Sequence, residues 1–260
     1  MSAFSVTIWG ARGSVPTSGT DTAIYGGNTP CVSIRAGDQL FVLDAGTGIV
    51  SLGRSLQAEG ISSVTLLLSH LHHDHTAGLP FFQPIFNPDV TVSVYCGNLG
   101  GESALKYLDQ VFGPPFFPLV FSRMAPRVKH EGFVAGENFV FGDVAILTQP
   151  LNHPGGCTGY RFERNGRAVT YATDVEHLVE APDPDMVRFT ARSDLLIYDT
   201  MMTDAEVPHC RGWGHSTWKA GVRLARAARV GKFAAFHHNP MFDDKRIACL
   251  EKKMQAKLPG

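Results

Sequence analysis

The sequence has almost no excess of either charge. Its 23 Lys and Arg residues are balanced by 24 Asp and Glu residues, for a formal net charge of −1. A protein that binds a nucleic-acid backbone or an anionic membrane needs a basic surface, so this balance argues against both partners. No apolar run approaches the ~20 residues that a membrane-spanning helix requires. The start, "MSAFSVTIWG", lacks the basic and long apolar regions of a signal peptide, so we expect a cytoplasmic protein.

Cysteine is also scarce and scattered. The five cysteines, at positions 31, 96, 157, 210 and 249, are odd in number and include no C-x-x-C pair. This spacing argues against a disulfide framework and against a thiolate zinc site, and it is typical of a reducing compartment. We interpret each cysteine as a small core side chain.

The chain is long enough to form a full hydrophobic core, since 44% of its 260 residues are hydrophobic. Short strand patterns such as "SVTLLLS" alternate with helical patterns such as "STWKAGVRLARAARVG", where Ser216 is placed to cap the helix. The pairs Gly37-Asp38 and Asn165-Gly166 predict hairpin turns. We find no tandem repeat and no low-complexity linker, so we predict a single α/β domain over residues 1–260.

The segment "SHLHHDH" places four histidines and one aspartate directly after a buried-strand pattern. A buried polar side chain without a partner costs roughly 2–7 kcal/mol, so the segment is either an exposed loop or a binding site. Residues two apart on an extended strand end point the same way, so His70 and His72 can hold one ion. The chain then turns, and Asp74 and His75 can face a second ion. These ligand types suit zinc, iron or manganese, and we interpret the intervening His73 as structural.

One short loop cannot complete two coordination shells, so we expect further ligands downstream. Three candidates each follow a predicted strand: His153 in "PLNHPGG", Asp174 in "YATD" and His237 in "AFHH". A carboxylate is the usual bridge between paired metals, which favours Asp174 for that role. His238 is the alternative to His237, and we prefer His237 because it stands at the strand end. The remaining histidines without a spacing signal, which we interpret as surface or hydrogen-bonded residues, are His130, His177 and His209.

The ordered motifs "SHLHHDH", "NHPGG", "YATD" and "FHHNP" resemble those of the metallo-β-lactamase-fold hydrolase superfamily, for which H-x-H-x-D-H is highly specific. The resemblance implies a four-layer αββα sandwich, with two mixed sheets flanked by helices. It also implies two divalent metal ions, for which we favour Zn²⁺, with Mn²⁺ or Fe as alternatives. By position it assigns His70, His72 and His153 to one ion, Asp74, His75 and His237 to the other, and Asp174 to a bridge.

Further motifs narrow the branch. "WGARGSVPTSGTDTAIYGGNTPCVSI", "LLIYDT" and "GWGHSTWKAGVRLARAA" are similar to the transfer-RNA 3′-processing endonucleases, a phosphodiesterase branch. In that branch a carboxylate, usually Glu, and a histidine on the last two segments form a catalytic pair, which here corresponds to Asp199 and His215. The Gly/Lys-rich arm that those endonucleases use to hold tRNA is missing. The pattern therefore fits better with cyclic-nucleotide phosphodiesterase-like relatives, including the carbon–phosphorus lyase accessory phosphodiesterase.

From the residues and the resemblance we predict a metal-dependent hydrolase, a phosphodiesterase for cyclic nucleotides or related small phosphodiesters that uses a metal-bridging hydroxide. His215 would protonate the leaving group and Asp199 would orient His215, with Asp74 counted in both the metal and the catalytic set. We expect a small-molecule substrate, not tRNA or a membrane. One alternative is a thioester or lactone hydrolase with the same metal site, and another is a non-catalytic metal-binding sensor or biosynthetic accessory protein.

The segment at 110–121, "QVFGPPFFPLVF", has two interpretations. It could belong to a lid inserted at about 100–135, in which Phe112, Phe116 and Phe117 stack on a base or pack against an acyl group. Alternatively, these aromatic side chains fill the core or a dimer contact. A homodimer is compatible with the sequence by analogy with the phosphodiesterase relatives.

Overall fold

The computed structural model describes residues 4–177 and 181–258, and the chain folds into two compact units. Unit 1 comprises Met1–Gly10 and Asn28–Val134, and unit 2 comprises Ala11–Gly27 and Ala135–Gly260. That the whole chain forms one domain stays a prediction. Within the described ranges, no helix combines the length and the apolar character needed to cross a membrane.

Unit 1 is built on one mixed sheet. Its six strands lie in chain order. The first three pair antiparallel, and from the third to the sixth each strand pairs parallel with the next. The predicted hairpin turn at Gly37-Asp38 is confirmed, because it joins the second strand to the third. The strands are β1 (Phe4–Gly10), β2 (Cys31–Ala36), β3 (Gln39–Leu43), β4 (Ser63–Leu68), β5 (Thr91–Cys96) and β6 (Lys129–Gly132).

The helices of unit 1 cover an apolar core. The first helix presents Ile49, Leu52 and Leu56, one helical turn apart, to the same core as Leu66 and Leu68 of β4. This arrangement explains why β4 ends in three consecutive leucines, Leu66 to Leu68, all of which are fully buried. The helices are α1 (Gly48–Leu56), α2 (His73–Thr76), α3 (Leu105–Val111) and α4 (Phe121–Met124), with 3₁₀ turns at Leu79–Phe81 and Gln83–Phe86.

The segment at about 100–135 is partly core and partly surface. It carries α3, α4 and β6, and β6 pairs with β5 as part of the sheet. Phe112 is buried in the core of unit 1, Phe117 packs against that core, and Phe116 is 80% exposed. The core interpretation therefore holds for Phe112, while the lid stays a prediction.

Unit 2 is built on a second mixed sheet, in which three antiparallel pairings are followed by two parallel ones. Asn165 and Gly166 have φ values of 51° and 73°, which a two-residue type I′ hairpin turn requires, so the predicted turn is confirmed. The strands are β7 (Phe139–Phe141), β8 (Val144–Leu151), β9 (Cys157–Arg164), β10 (Arg167–Ala172), β11 (Leu195–Asp199) and β12 (Lys232–Phe236).

The longer helices of unit 2 begin at side-chain caps. The cap predicted at Ser216 is wrong, because Thr217 Oγ1 accepts the hydrogen bond from the Ala220 amide. Ser216 Oγ instead donates a hydrogen bond to the Val175 carbonyl at 2.5 Å, so its hydroxyl is buried and does not cap the helix. The helices are α5 (Pro184–Thr190), α6 (Trp218–Ala227) and α7 (Asp244–Gln255), with 3₁₀ turns at Thr20–Thr22 and Val207–His209.

Candidate metal centre

In unit 1, the histidine motif stands where β4 ends and α2 begins. His72 has extended backbone angles at the start of α2, and Asp74 and His75 lie within the helix. The ring centroid of His70 lies 4.4 Å from that of His72 and 4.3 Å from that of His75. His70, Asp74 and His75 are buried, whereas His72 is exposed. The motif therefore gathers three imidazoles and one carboxylate, as the strand-end argument predicts.

Asp44 orients this cluster, and we did not predict it. It follows β3, is fully buried, and accepts hydrogen bonds from the Ser69 amide at 2.7 Å and the Ser69 hydroxyl at 2.8 Å. Its Oδ2 atom also lies 2.8 Å from His75 Nδ1. A carboxylate only accepts, so Nδ1 carries the proton and Nε2 is the nitrogen that can coordinate a metal. The signal that could have found Asp44 is its place directly after a strand.

In unit 2, one carboxylate lies between two imidazoles. The Oδ2 atom of Asp174 lies 3.8 Å from His153 Nε2, and its Oδ1 atom lies 3.3 Å from His237 Nε2. All three side chains are buried. The two oxygens of Asp174 thus lie near different histidines. A carboxylate that bridges two metal ions needs this arrangement. Asp174 follows β10, His153 follows β8 and His237 follows β12.

The candidate catalytic pair belongs to the same unit 2 cluster. His215 Nδ1 lies 2.8 Å from Asp199 Oδ2, and Asp199 Oδ1 accepts from the Met201 amide at 2.9 Å. The ring of His215 stacks on that of His237, with centroids 4.9 Å apart and planes 20° apart. One ligand atom each from Asp174, Asp199, His215 and His237 all lie within 4.8 Å of one another.

The structure brings His237, and not His238, to Asp174. The ring of His238 instead meets Tyr25 at 6.3 Å and lines a cavity of about 260 Å³ with Ile247 and Met254. Burial, reinforced by the charge of Arg12, lowers the pKa of His238 to about 4, so this imidazole is neutral near pH 7.

Two glycines fit closely against the ligand histidines of unit 2. His153 Nδ1 lies 2.9 Å from the Gly214 carbonyl, so Nδ1 donates there and Nε2 can coordinate a metal. A Cβ on Gly214 would lie 2.0 Å from the same Nδ1 atom, and one on Gly13 would lie 2.6 Å from His237 Nδ1. The two backbones therefore fix where the rings stand.

The segment that carries Gly13 is itself anchored by a buried arginine. Arg12 donates to the carbonyls of Gly26 at 2.9 Å and Phe242 at 2.8 Å. The Gly13 amide donates to the His238 carbonyl at 2.8 Å. These contacts tie the loop after β12, and with it His237, to the rest of unit 2.

The histidines without a spacing signal lie outside these clusters. His209 is exposed, and so is His73, which we interpreted separately as structural. His130 packs edge-on against Phe121, with ring centroids 5.8 Å apart.

His177 is buried. Its Nδ1 atom lies 3.3 Å from the Tyr198 hydroxyl, and its Nε2 atom accepts a hydrogen bond from the Asp183 amide at 3.0 Å. The surroundings of His177 and His209 agree with the hydrogen-bonded and surface roles that we expected. His130 is half-buried instead, and its Nδ1 atom has no hydrogen-bond partner among the described residues.

The donor chemistry of both clusters fits divalent metal ions. His75 and His153 each commit Nδ1 to an oxygen acceptor, which is the usual arrangement of metal-binding imidazoles. The donors are nitrogen and carboxylate oxygen, the set preferred by zinc, iron and manganese. Which of these residues bind a metal stays a prediction.

Comparison with known proteins places the chain in a family. Residues 40–238 match the model of the Beta-lactamase superfamily domain. The chain is 27% identical over 236 residues to ribonuclease Z of Mycobacterium bovis (strain BCG / Pasteur 1173P2), covering 81% of this chain and 80% of that protein.

Solved structures show the same fold. The metallo-β-lactamase fold protein YhfI from Bacillus subtilis superposes with a TM-score of 0.72 at 19% identity, covering 98% of this chain and 93% of YhfI. A diphosphatase from the PhnP family superposes with a TM-score of 0.65 at 19% identity, covering 98% of this chain and 91% of that one. The predicted fold class and the predicted hydrolase class are confirmed. The chain belongs to the β-lactamase superfamily and has the metallo-β-lactamase fold.

Proposed function

We propose that the protein is a dinuclear metal-dependent phosphodiesterase that hydrolyses cyclic nucleotides or related small phosphodiesters. The observation that carries the proposal is the contact of 2.8 Å between His215 Nδ1 and Asp199 Oδ2, within one cluster with Asp174 and His237. An alkoxide leaving group needs a proton, and an imidazole held by a carboxylate can deliver one near neutral pH. Hydrolysis of a bond with a good leaving group does not need such a pair.

The metal ions are part of the proposal. The superfamily match includes every predicted ligand, and the donor types suit two divalent ions, Zn²⁺ first with Mn²⁺ or Fe as alternatives. When bound, paired cations lower the pKa of water and neutralise the charge that develops on the phosphoryl oxygens. The proposed ligands are His70, His72, Asp74, His75, His153, Asp174 and His237.

His215 is the proposed general acid. Its Nδ1 atom is committed to Asp199, so Nε2 is the atom that delivers the proton to the leaving oxygen. The negative charge of Asp199 favours the protonated imidazole, and its full burial removes the competing water. Asp199 is itself held by the Met201 amide, so the pair is oriented before substrate binds.

The proposed substrate is a small molecule and not tRNA. The relative named above is a ribonuclease and the structural neighbour a diphosphatase, which supports chemistry at phosphorus. The near-neutral composition, and the lack of a Gly/Lys-rich arm, favour a compact substrate over a polyanion. We also propose that the protein acts without a membrane partner and that a homodimer is its assembly.

The test is a substrate panel on protein of known metal content. It contains bis-p-nitrophenyl phosphate, 2′,3′- and 3′,5′-cyclic nucleotides, a precursor tRNA, a lactone and a thioester. We expect turnover of the phosphodiesters, with a cyclic nucleotide the best natural substrate. Preference for the thioester or lactone would overturn the proposal, and two bound metals without any turnover would favour a sensor or accessory role.

The His215→Ala variant separates these outcomes further. It should lose on the order of 10²–10⁴-fold in kcat/KM on a cyclic nucleotide and much less on bis-p-nitrophenyl phosphate, whose leaving group needs no proton. His209→Ala, at an exposed position, is the matched control. A loss below about 5-fold on the cyclic nucleotide, with wild-type metal content, would remove His215 from the mechanism.

A further inference from the structure

We propose that Glu176 is a positioning residue, which clamps the turn at Gly212–Gly214 and thereby holds His153 and His215 in their working orientations. The inference rests on the proposed function, because it takes His153 as a metal ligand and His215 as the general acid.

The clamp consists of one carboxylate oxygen and two backbone amides. Glu176 Oε2 accepts from the Gly212 amide at 2.7 Å and from the Gly214 amide at 3.0 Å. The two amides flank Trp213, so a single oxygen grips both sides of the turn. Hydrogen bonds to an ionised carboxylate are stronger than those between neutral groups, which suits an anchor.

The backbone of Glu176 is tied to the other side of the cluster. Its amide donates to the Asn152 carbonyl at 2.8 Å, and Asn152 Nδ2 donates back to the Glu176 carbonyl at 3.3 Å. Asn152 directly precedes His153. Glu176 therefore links the loop that carries His153 to the turn that leads into His215.

The turn needs an anchor because of its own composition. Gly212 and Gly214 both have φ of 83°, in the region that favours glycine. Glycine loses more conformational freedom on folding than any other residue, so this turn is intrinsically mobile unless contacts hold it. Trp213, at its centre, is 59% exposed and adds little packing.

Movement of the turn would reach both functional histidines. The Gly214 carbonyl is the acceptor for His153 Nδ1, and the Gly214 Cα lies so close that no Cβ fits there. The next residue is His215, whose ring must meet Asp199. Releasing the clamp therefore loosens both the carbonyl that orients His153 and the position of His215.

The test compares Glu176→Ala with a matched variant, Glu206→Ala. Glu206 Oε2 also accepts two hydrogen bonds in unit 2, from the Thr203 amide at 2.7 Å and the Thr203 hydroxyl at 2.6 Å, but these lie within another turn. The first measurement is the metal dissociation constant, by competition with a chromophoric chelator. The second is the visible spectrum of the Co²⁺-loaded protein, which reports ligand geometry without any substrate.

We expect Glu176→Ala to weaken metal binding by up to about 10–100-fold, the effect of losing a ligand's own hydrogen-bond partner, because the variant loosens the Gly214 carbonyl that His153 uses. It should also alter the Co²⁺ spectrum. Glu206→Ala should leave both unchanged. Glu176→Gln keeps an acceptor oxygen at the same place and should restore most of the affinity. If Glu176→Ala does not fold, Glu176→Asp takes its place, because its shorter side chain cannot span the two amides.

Wild-type metal affinity and spectrum in a folded Glu176→Ala variant would overturn the inference. An equal loss in Glu206→Ala would overturn it too, because the effect would then be general destabilisation. Both readouts are independent of substrate, so they decide the role of Glu176 even if the protein hydrolyses no phosphodiester. Conversely, if the protein hydrolyses phosphodiesters but Glu176→Ala binds metal like the wild type, the role of Glu176 is overturned and the proposed function is retained.

Discussion

The Nδ1 atom of His215 lies 2.8 Å from the Oδ2 atom of Asp199. The contact forms although Asp is one methylene shorter than Glu, the usual residue here in the transfer-RNA 3′-processing endonucleases that the sequence resembles. The contact forms because β11 continues to Asp199 itself, so that its side chain emerges at the strand end. The Met201 amide then holds the other carboxylate oxygen. The shorter residue therefore still makes the pair.

The two members of this pair should behave as a unit in kinetics. Asp199→Asn removes the charge that favours protonated His215, so we expect a loss in kcat/KM on a cyclic nucleotide of on the order of 10²–10⁴-fold. The double variant with His215→Ala should be little worse than His215→Ala alone, because residues that act together are not additive. Losses that multiply, at equal metal content, would show that the two residues act independently.

Asp44 should matter for metal binding more than its distance in sequence suggests. Both oxygens of Asp44 accept hydrogen bonds, so Asp44→Asn leaves one acceptor oxygen for the Ser69 amide and His75 Nδ1 together. We therefore expect a loss in metal affinity of about 10–100-fold. Asp109→Asn is the matched control, because Asp109 also accepts from an amide and hydroxyl of one serine, Ser122, both at 2.7 Å. Equal affinities for the two variants, by calorimetry or chelator competition, would contradict a role for Asp44 in the centre.

Two glycines of one turn provide a steric test. Gly212 and Gly214 share φ of 83°, but a Cβ on Gly212 would meet nothing within 4 Å, whereas one on Gly214 would overlap His153. Gly212→Ala should cost only the left-handed strain, roughly 1–2 kcal/mol. Gly214→Ala should cost more and also reduce metal affinity. Urea unfolding and metal titration of both variants measure these losses. Equal stability and equal metal affinity in the two variants would show that a side chain at position 214 does not disturb His153.

His177 should make the metal-free protein sensitive to mild acid. Burial lowers its pKa below the ordinary 6.5, partly offset by the charge of Asp183. The unfolded chain then binds a proton that the folded chain refuses, so stability is lost as pH falls below about 6.5. His177→Gln should flatten this dependence relative to His209→Gln. Urea midpoints between pH 7.5 and pH 5 measure it, and equal slopes for the two variants would refute it.

Local patterns in the sequence predict most of the strands and the strand ends at which the candidate ligands lie. The apolar run of β4, the Asn165-Gly166 turn and the alternation around it predict elements that the structure contains. The strand ends predicted before His70, Asp174 and His237 are present, since these residues follow β4, β10 and β12, while their binding of a metal stays a prediction. In contrast, β6 has the polar sequence "KHEG" and half-exposed residues, so it carries no apolar alternation to detect.

Long-range contacts could not be predicted in this way. Glu176 reaches amides 36 and 38 residues away, and Asp44 reaches a histidine 31 residues away. Spacing along the chain reports only neighbours on one helix or strand, whereas these contacts depend on how strands are ordered in a sheet. Ser216 illustrates the same limit, because its hydroxyl suits a helix cap but is used by the Val175 carbonyl.

The left-handed backbone at Asp174 and His237, with φ of 51° and 56°, narrows the routes by which laboratory evolution could change the chemistry of this protein. Asp, Asn, His and Gly tolerate such angles, whereas β-branched or bulky residues do not. Selection for another metal preference thus has few amino acids to choose from at these positions. It should act first at the other proposed ligands, such as His153, whose backbone lies outside that region.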